Sequence, residues 1–174
     1  VAIRGLNTWE RQLKGQLEYE LSRRILKSVF KYRDAINFVR NPMMWANEMP
    51  SPDNDEAQAM SHNQIRFYGI SKAYQARWEK VNAEKVSLYA DLLEAEAIWG
   101  DELKKIFQSL YLLENELLTK VRHHIELSNP DTPKETKNII REIDSQMRDI
   151  LYDKSRGIKA WRKKTATALW EERG

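Results

Sequence analysis

The chain has 174 residues, no cysteine, three histidines and a formal net charge of +3. This length is typical of one domain, and we predict a single helical-bundle domain over residues 1–174. The absence of cysteine excludes disulfide scaffolds, thiol nucleophiles and thiolate metal sites, because all three need its sulfur.

The first 40 residues predict one long amphipathic helix. Apolar side chains recur every three or four residues between charged ones. This spacing is close to the 3.6-residue repeat of an α-helix and predicts one face that packs against other helices. The predicted core face is Leu6, Trp9, Leu13, Leu17, Leu21, Ile25, Val29, Tyr32, Ile36 and Val39.

A long loop is predicted at about residues 41–61, which contain three prolines and several turn-forming polar residues. Loops of this length are usually functional or disordered. The loop contains an apolar cluster that we interpret as a flap folded over the bundle, and the alternative is an exposed docking patch. The cluster is Met43, Met44, Trp45 and Met49.

A second helix is predicted to end at Trp99. Ser61 and Gln64 have the spacing of a capping box, so the helix begins there, or at Ser71 if Gly69 interrupts it. Its apolar stripe is interrupted by one polar residue, Lys85.

Two further helices complete the predicted bundle. Gly100 and Asp101 indicate a stop and a restart, and so short a link makes the flanking helices antiparallel. Thr132 as cap and Pro133 at the first helical position predict a fourth helix, with a short helix or flexible tail over 155–174. No segment shows the alternation of a half-buried strand. The predicted fold is all-α, an antiparallel bundle of about four long helices.

Charge is distributed unevenly along the chain. The net charge is +5 over residues 1–40, −6 over 41–132 and +4 over 133–174. Complementary helices in a bundle explain this pattern most simply. A second interpretation concerns a cationic cluster around one tryptophan, which is a candidate surface for an anionic membrane or a protein partner, or for nucleic-acid phosphates. The cluster is Lys154, Arg156, Lys159, Trp161, Arg162, Lys163 and Lys164.

Catalytic and metal-binding motifs are missing from the sequence. The Glu-x-x-His pairs of di-iron bundles do not occur. We expect His124 to pack at the edge of the core and His123 to be exposed. No catalytic, cofactor or metal site is therefore predicted, and the chain is not expected to be an enzyme. An enzyme would need an inward cleft that joins acids such as Asp34 with Glu94 or Glu96.

Arg33, Asp34 and Arg40 form a candidate anion or partner site at the end of the first helix. One interpretation is that Asp34 pairs with a neighbouring arginine while Arg40 stabilises the negative C-terminal end of the helix. The other is an anion or peptide site covered by the loop that contains Met43 and Met49.

Residues 9–48 resemble a family of uncharacterised bacterial proteins. The motifs that carry the resemblance are Trp9, Arg11-Gln12-Leu13-Lys14-Gly15, Tyr19-Glu20-Leu21, Arg24-Ile25-Leu26, Tyr32-Arg33-Asp34-Ala35-Ile36, Val39-Arg40-Asn41-Pro42 and Glu48. In that family a membrane-spanning helix and a helical linker precede a soluble helical domain. The resemblance implies an anchor upstream of Val1, a location on the cytoplasmic side of the membrane, and no known activity. Without an anchor the expected location is cytoplasmic.

These patterns favour a non-catalytic helical interaction or scaffold module that binds a protein partner or self-associates, without cofactor or metal. The alternative is a nucleic-acid-binding helical protein that uses its basic ends. A carboxylate-based enzyme is the third hypothesis.

Overall fold

A computed structural model describes residues 2–147 and 150–151 of the chain. These residues form five α-helices and contain no strand. The helices are α1 (Ala2–Val39), α2 (Asn54–Ala59), α3 (His62–Trp99), α4 (Glu102–Ser128) and α5 (Lys134–Gln146). The predicted all-α bundle is confirmed.

The core lies between α1, α3 and α4. Ion pairs of Arg24 with Asp91 and of Lys31 with Glu84 show that α1 and α3 are antiparallel. Helix α4 returns along α3, and α5 packs against the second half of α4. Burial of apolar side chains from the three long helices stabilises the bundle. The most buried of them are Leu21, Tyr32, Ala35, Val39, Ala73, Tyr74, Val81, Leu88, Leu92, Ala95, Leu117 and Val121.

The two ends of α3 follow the sequence signals closely. Ser61 Oγ accepts a hydrogen bond from the backbone N–H of Gln64 at 3.4 Å. Gln64 Oε1 in turn accepts one from the backbone N–H of Ser61 at 2.9 Å. The predicted capping box is thus present. Gly69 does not interrupt the helix. Gly100 ends it with a φ of 81°, a conformation that glycine adopts without a steric penalty.

Two local predictions were inaccurate. Residues 54–59 of the predicted loop form α2. Asp55 and Glu56 lie in its first turn, where their negative charges stabilise the helix through its positive N-terminal end. Pro133 occupies the N-cap position of α5, so this helix begins one residue later than predicted. Thr132 does not cap that helix, because its hydroxyl donates to the Glu126 carboxylate at 2.6 Å.

The predicted core face of α1 is wrong at its N-terminal end. Trp9, Leu13 and Leu17 are 63%, 44% and 54% exposed. A step of seven residues along α1 from Arg24 to Lys31 moves the pairing seven residues back along α3. By the same register Trp99, the last residue of α3, lies level with Gln16. The preceding part of α1 therefore extends beyond α3.

Lys85, the polar residue in the α3 stripe, pairs with a buried carboxylate on α4. Its Nζ donates to Glu114 Oε1 at 3.0 Å, and the Tyr32 hydroxyl of α1 donates to Oε2 at 2.6 Å. One carboxylate thus connects three helices. Burial raises the pKa of Tyr32, and the bond to Glu114 raises it further, so the hydroxyl stays protonated and keeps donating.

The two adjacent histidines have different surroundings. His123 was predicted to be exposed, which is wrong, because its Nδ1 lies 2.7 Å from Asp144 Oδ1 on α5. Lys120 Nζ donates to the same oxygen at 3.0 Å. Burial raises the pKa of Asp144, but the bonds from His123 and Lys120 lower it to a net value below normal. His124 packs edge-on against Tyr74, with ring centroids 5.5 Å apart.

Candidate protein-docking surface

The loop between α1 and α2 is held to the bundle by one arginine, Arg77 of α3. Its Nη1 donates to the Asn41 carbonyl and its Nη2 to the Met43 carbonyl, each at 2.7 Å. Its Nε donates to Glu48 Oε2 at 2.7 Å, and Nη2 also donates to Oε1 at 3.1 Å. The guanidinium therefore fixes both ends of residues 41–48. We call these contacts the Arg77 clamp.

The Arg77 clamp is buried and electrically balanced. Arg77 is 1% exposed, and its guanidinium carbon lies 4.5 Å from the centre of the Phe38 ring. A buried charge is tolerated only when it is paired and hydrogen-bonded, and Glu48 meets both needs. The hydrogen bond from Arg77 holds the pKa of Glu48 below its usual value, so this carboxylate stays ionised at neutral pH. The clamp is a structural device that shapes the loop.

The apolar residues of the clamped loop divide into an inner and an outer pair. Met44 packs against the core, and Met49 lies directly against Gly69 of α3. Met43 and Trp45 are 58% and 62% exposed. Met44 and Met49 thus pack inwards, as the flap interpretation predicts. Met43 and Trp45 are exposed, as the docking-patch interpretation predicts. We call Met43 and Trp45 the docking pair.

The polypeptide around the docking pair has one sign of charge. Residues 41–61 contain four carboxylates and no lysine or arginine. Glu48 is neutralised by Arg77, whereas Asp53, Asp55 and Glu56 are exposed. The loop thus presents an apolar pair together with a nearby acidic segment.

The candidate anion residues do not share one site. Arg33 donates from Nε and Nη2 to Asp34 Oδ1 at 2.9 and 2.8 Å, and its guanidinium lies over the Phe30 ring. Arg40 instead donates from Nε to the carbonyl of Ile150 at 2.6 Å. The two guanidinium groups thus bind different groups of the same chain.

The acids considered for catalysis are likewise separated. Asp34 pairs with Arg33, Glu94 with Arg24, and Glu96 with Lys104 at 2.9 Å. Within residues 2–147 and 150–151 there is no group of three His, Asp or Glu side chains that could hold a metal ion. The cationic cluster from Lys154 to Lys164 lies outside the described residues.

A shallow groove runs between α3 and α4, away from the docking pair. Its volume is about 280 Å³, and Trp78, Leu118 and Ile125 contribute its apolar lining. The Ser71 hydroxyl at its base is buried without a hydrogen-bond partner. Typical small-molecule sites measure about 300–1,000 Å³, so this groove lies just below their size range.

Arg77 is the residue of this candidate surface that sequence reasoning missed. It lies three residues after Tyr74 and four before Val81, both of which are buried in the core. An arginine at this spacing occupies the inner face of the helix and must find a partner there. The position was therefore detectable, but the identity of Glu48 as its partner was not.

Comparisons with protein-family models, with curated protein sequences and with solved structures find no match to this chain. The family resemblance of residues 9–48 therefore stays a prediction. Within the described residues, none of the helices is long and apolar enough to cross a membrane.

Proposed function

We propose that this chain is a non-catalytic protein-interaction module that docks a partner protein onto Met43 and Trp45. The Arg77 clamp is the observation that carries this proposal, because it fixes the loop backbone next to two exposed apolar side chains. Rigid presentation lowers the entropy lost on binding. Tryptophan is also among the residues that most often dominate the energy of protein interfaces.

The chemistry of the loop restricts the partner. An indole and a thioether need an apolar pocket, and the exposed acids Asp53, Asp55 and Glu56 favour basic residues around that pocket. Phosphate-rich nucleic acid and anionic lipid would be repelled by the same acids. A protein with a basic rim around an apolar pocket is the partner that this surface fits.

The test begins with a photo-crosslinking phenylalanine analogue in place of Trp45, introduced in the cells that produce the protein. A matched chain has the analogue in place of Leu112, which is 71% exposed on α4. A protein crosslinked from the loop position alone is then purified, and its affinity is measured for the wild type, Trp45→Ala and Leu112→Ala.

We expect Trp45→Ala to weaken binding by about 30-fold or more, as for a central interface residue, and Leu112→Ala to leave it nearly unchanged. Affinity for the wild type should also decrease with salt, because opposite charges face each other. Equal crosslinking from both positions, or equal affinities of the two variants, would reject the docking pair as the interface.

A further inference from the structure

The N-terminal part of α1 has an apolar edge and no neighbouring helix in the described structure. Helix α3 ends at Trp99, level with Gln16, and α4 begins only three residues later at Glu102. Residues 2–15 therefore extend past the bundle, and Gln16 and Leu17 lie level with the last turn of α3. We call residues 2–17 the arm. At 1.5 Å per residue the arm is about 24 Å long.

The exposed edge of the arm continues the buried edge of the same helix. Leu21 and Ile25 are buried against the bundle, and Leu17, Leu13 and Trp9 follow at steps of four residues towards the N-terminus. Steps of four residues advance by 40° per step on an α-helix, so the edge turns gradually but stays continuous. The arm thus carries an extension of the interface that α1 already makes with α3.

We propose that the arm pairs antiparallel with the arm of a second copy of this chain. Most helical stability in proteins comes from packing of an apolar face, and burial of the arm's apolar edge against another helix would supply that packing. The arm has a net charge of +2 from Arg4, Glu10, Arg11 and Lys14, and Glu18 and Glu20 in the next turn of the helix balance it. Two identical arms therefore do not repel each other strongly.

The order of charges selects the antiparallel direction. Glu10, Lys14 and Glu18 recur every four residues and so follow one flank of the apolar edge. In an antiparallel pair this flank faces itself. A register that places Leu13 against Leu17 of the partner subunit then brings Lys14 within reach of Glu18 of the partner subunit, twice by symmetry. A parallel pair would place the charged flank against Gln12 and Gln16 and lose both ion pairs.

The test measures association by sedimentation equilibrium up to millimolar concentration of the full chain. The variant L13Q/L17Q removes two exposed leucines from the arm. The control L112Q/V86Q removes two apolar side chains that are 71% and 70% exposed on α4 and α3. Because all four residues are exposed, both variants are expected to fold, and circular dichroism checks this.

We expect the wild type and the control to dimerise with similar Kd. The dimer Kd of L13Q/L17Q should rise by about 100-fold or more, since four buried leucines are lost per dimer. A wild type that stays monomeric, or equal Kd for both variants, would overturn the proposal.

The direction is tested with one spin label. The chain has no cysteine, so Arg23→Cys provides a single attachment site. In the antiparallel register the two labels are about 24 Å apart along the helix axes, whereas a parallel pair places them level. Labels that lie level with each other would overturn the antiparallel arrangement.

Trp45→Ala should leave the dimer Kd unchanged. A failure of the proposed docking surface can therefore be distinguished from a failure of the proposed arm pairing.

Discussion

Arg77 and Glu48 are 29 residues apart in sequence, and their side chains meet at 2.7 Å. The pair joins the middle of α3 to the loop that follows α1. Because Arg77 also donates to two loop carbonyls, its removal takes the donor away from the Glu48 carboxylate and from both carbonyls. Arg77 therefore connects the loop at three points to α3.

Arg77→Met should strongly destabilise the protein. Methionine has a similar volume, but Glu48 and the carbonyls of Asn41 and Met43 lose their donors. Removal of one partner of a buried ion pair typically costs about 3–5 kcal/mol. Urea unfolding followed by circular dichroism measures the change in free energy of unfolding.

The matched control is Arg66→Met, at an exposed position on the same helix. It should change the free energy of unfolding by less than about 0.5 kcal/mol. Limited proteolysis should cut residues 41–50 faster in Arg77→Met than in the control. Similar stability and similar cleavage in the two variants would show that the clamp does not hold the loop.

The two tyrosines near Glu114 should respond differently to loss of their hydroxyls. Tyr32 donates to Glu114 at 2.6 Å, so Tyr32→Phe leaves a buried carboxylate short of one donor and should cost about 1–3 kcal/mol. The Tyr111 hydroxyl is buried without a partner, so Tyr111→Phe should be neutral or stabilising. Its ring keeps the contact with Lys85, whose Nζ lies 4.8 Å from the ring centre.

Denaturant midpoints of the two phenylalanine variants provide the comparison. Both changes remove one oxygen from a tyrosine ring near the same carboxylate, so differences in size and hydrophobicity cancel. If Tyr111→Phe were as destabilising as Tyr32→Phe, the hydrogen bond to Glu114 would not explain the cost.

Helical periodicity predicted the bundle well, because it depends only on local spacing. The same periodicity placed Leu13 in the core and failed there, since it does not show where the neighbouring helix ends. That end depends on the position of Gly100 and on the register of α1 with α3. Register is set by contacts such as Arg24 with Asp91, which are distant in sequence.

The candidate docking surface could be predicted only in part from the sequence. Composition identified the apolar cluster of the loop, and the spacing of α3 could have identified Arg77. Which methionines turn inwards depends on the backbone path between Asn41 and Glu48, and Arg77 fixes that path from another helix. A side-chain orientation that depends on such a long-range bond has no local sequence signal.

Gly69 and Gly15 should give opposite results when replaced by alanine. Both lie inside helices, where alanine is favoured by about 1 kcal/mol. A Cβ at Gly15 meets nothing within 4 Å, whereas a Cβ at Gly69 would lie 3.1 Å from the Cβ of Met49. Since the Arg77 clamp limits movement of Met49, Gly69→Ala should lose stability. Gly15→Ala should slow amide exchange in the arm.

Urea unfolding of Gly69→Ala and hydrogen exchange of Gly15→Ala test this pair. A gain of stability in Gly69→Ala would mean that Met49 yields at little cost. In that case the loop would be less firmly fixed than the clamp contacts indicate.

His124 should make the stability of the protein depend on pH. Burial against Tyr74 lowers its pKa from the usual 6.5, because the charged imidazolium is poorly solvated there. Below pH 6.5 the unfolded chain binds a proton that the folded chain does not, so unfolding becomes easier. The contribution of neutral His124 to the free energy of unfolding is fully present above pH 6.5. It is lost as the pH falls through the pKa that His124 has in the folded protein.

An NMR titration of the His124 ring gives the folded pKa directly. The free energy of unfolding is then compared for the wild type and His124→Gln at about pH 7.5 and about pH 5.5. The packing lost in the variant is the same at both pH values. Any change with pH in the stability difference between the two proteins therefore comes from protonation of His124. The wild type should lose more stability than the variant on acidification. An equal loss in both proteins would show that another group controls this pH range.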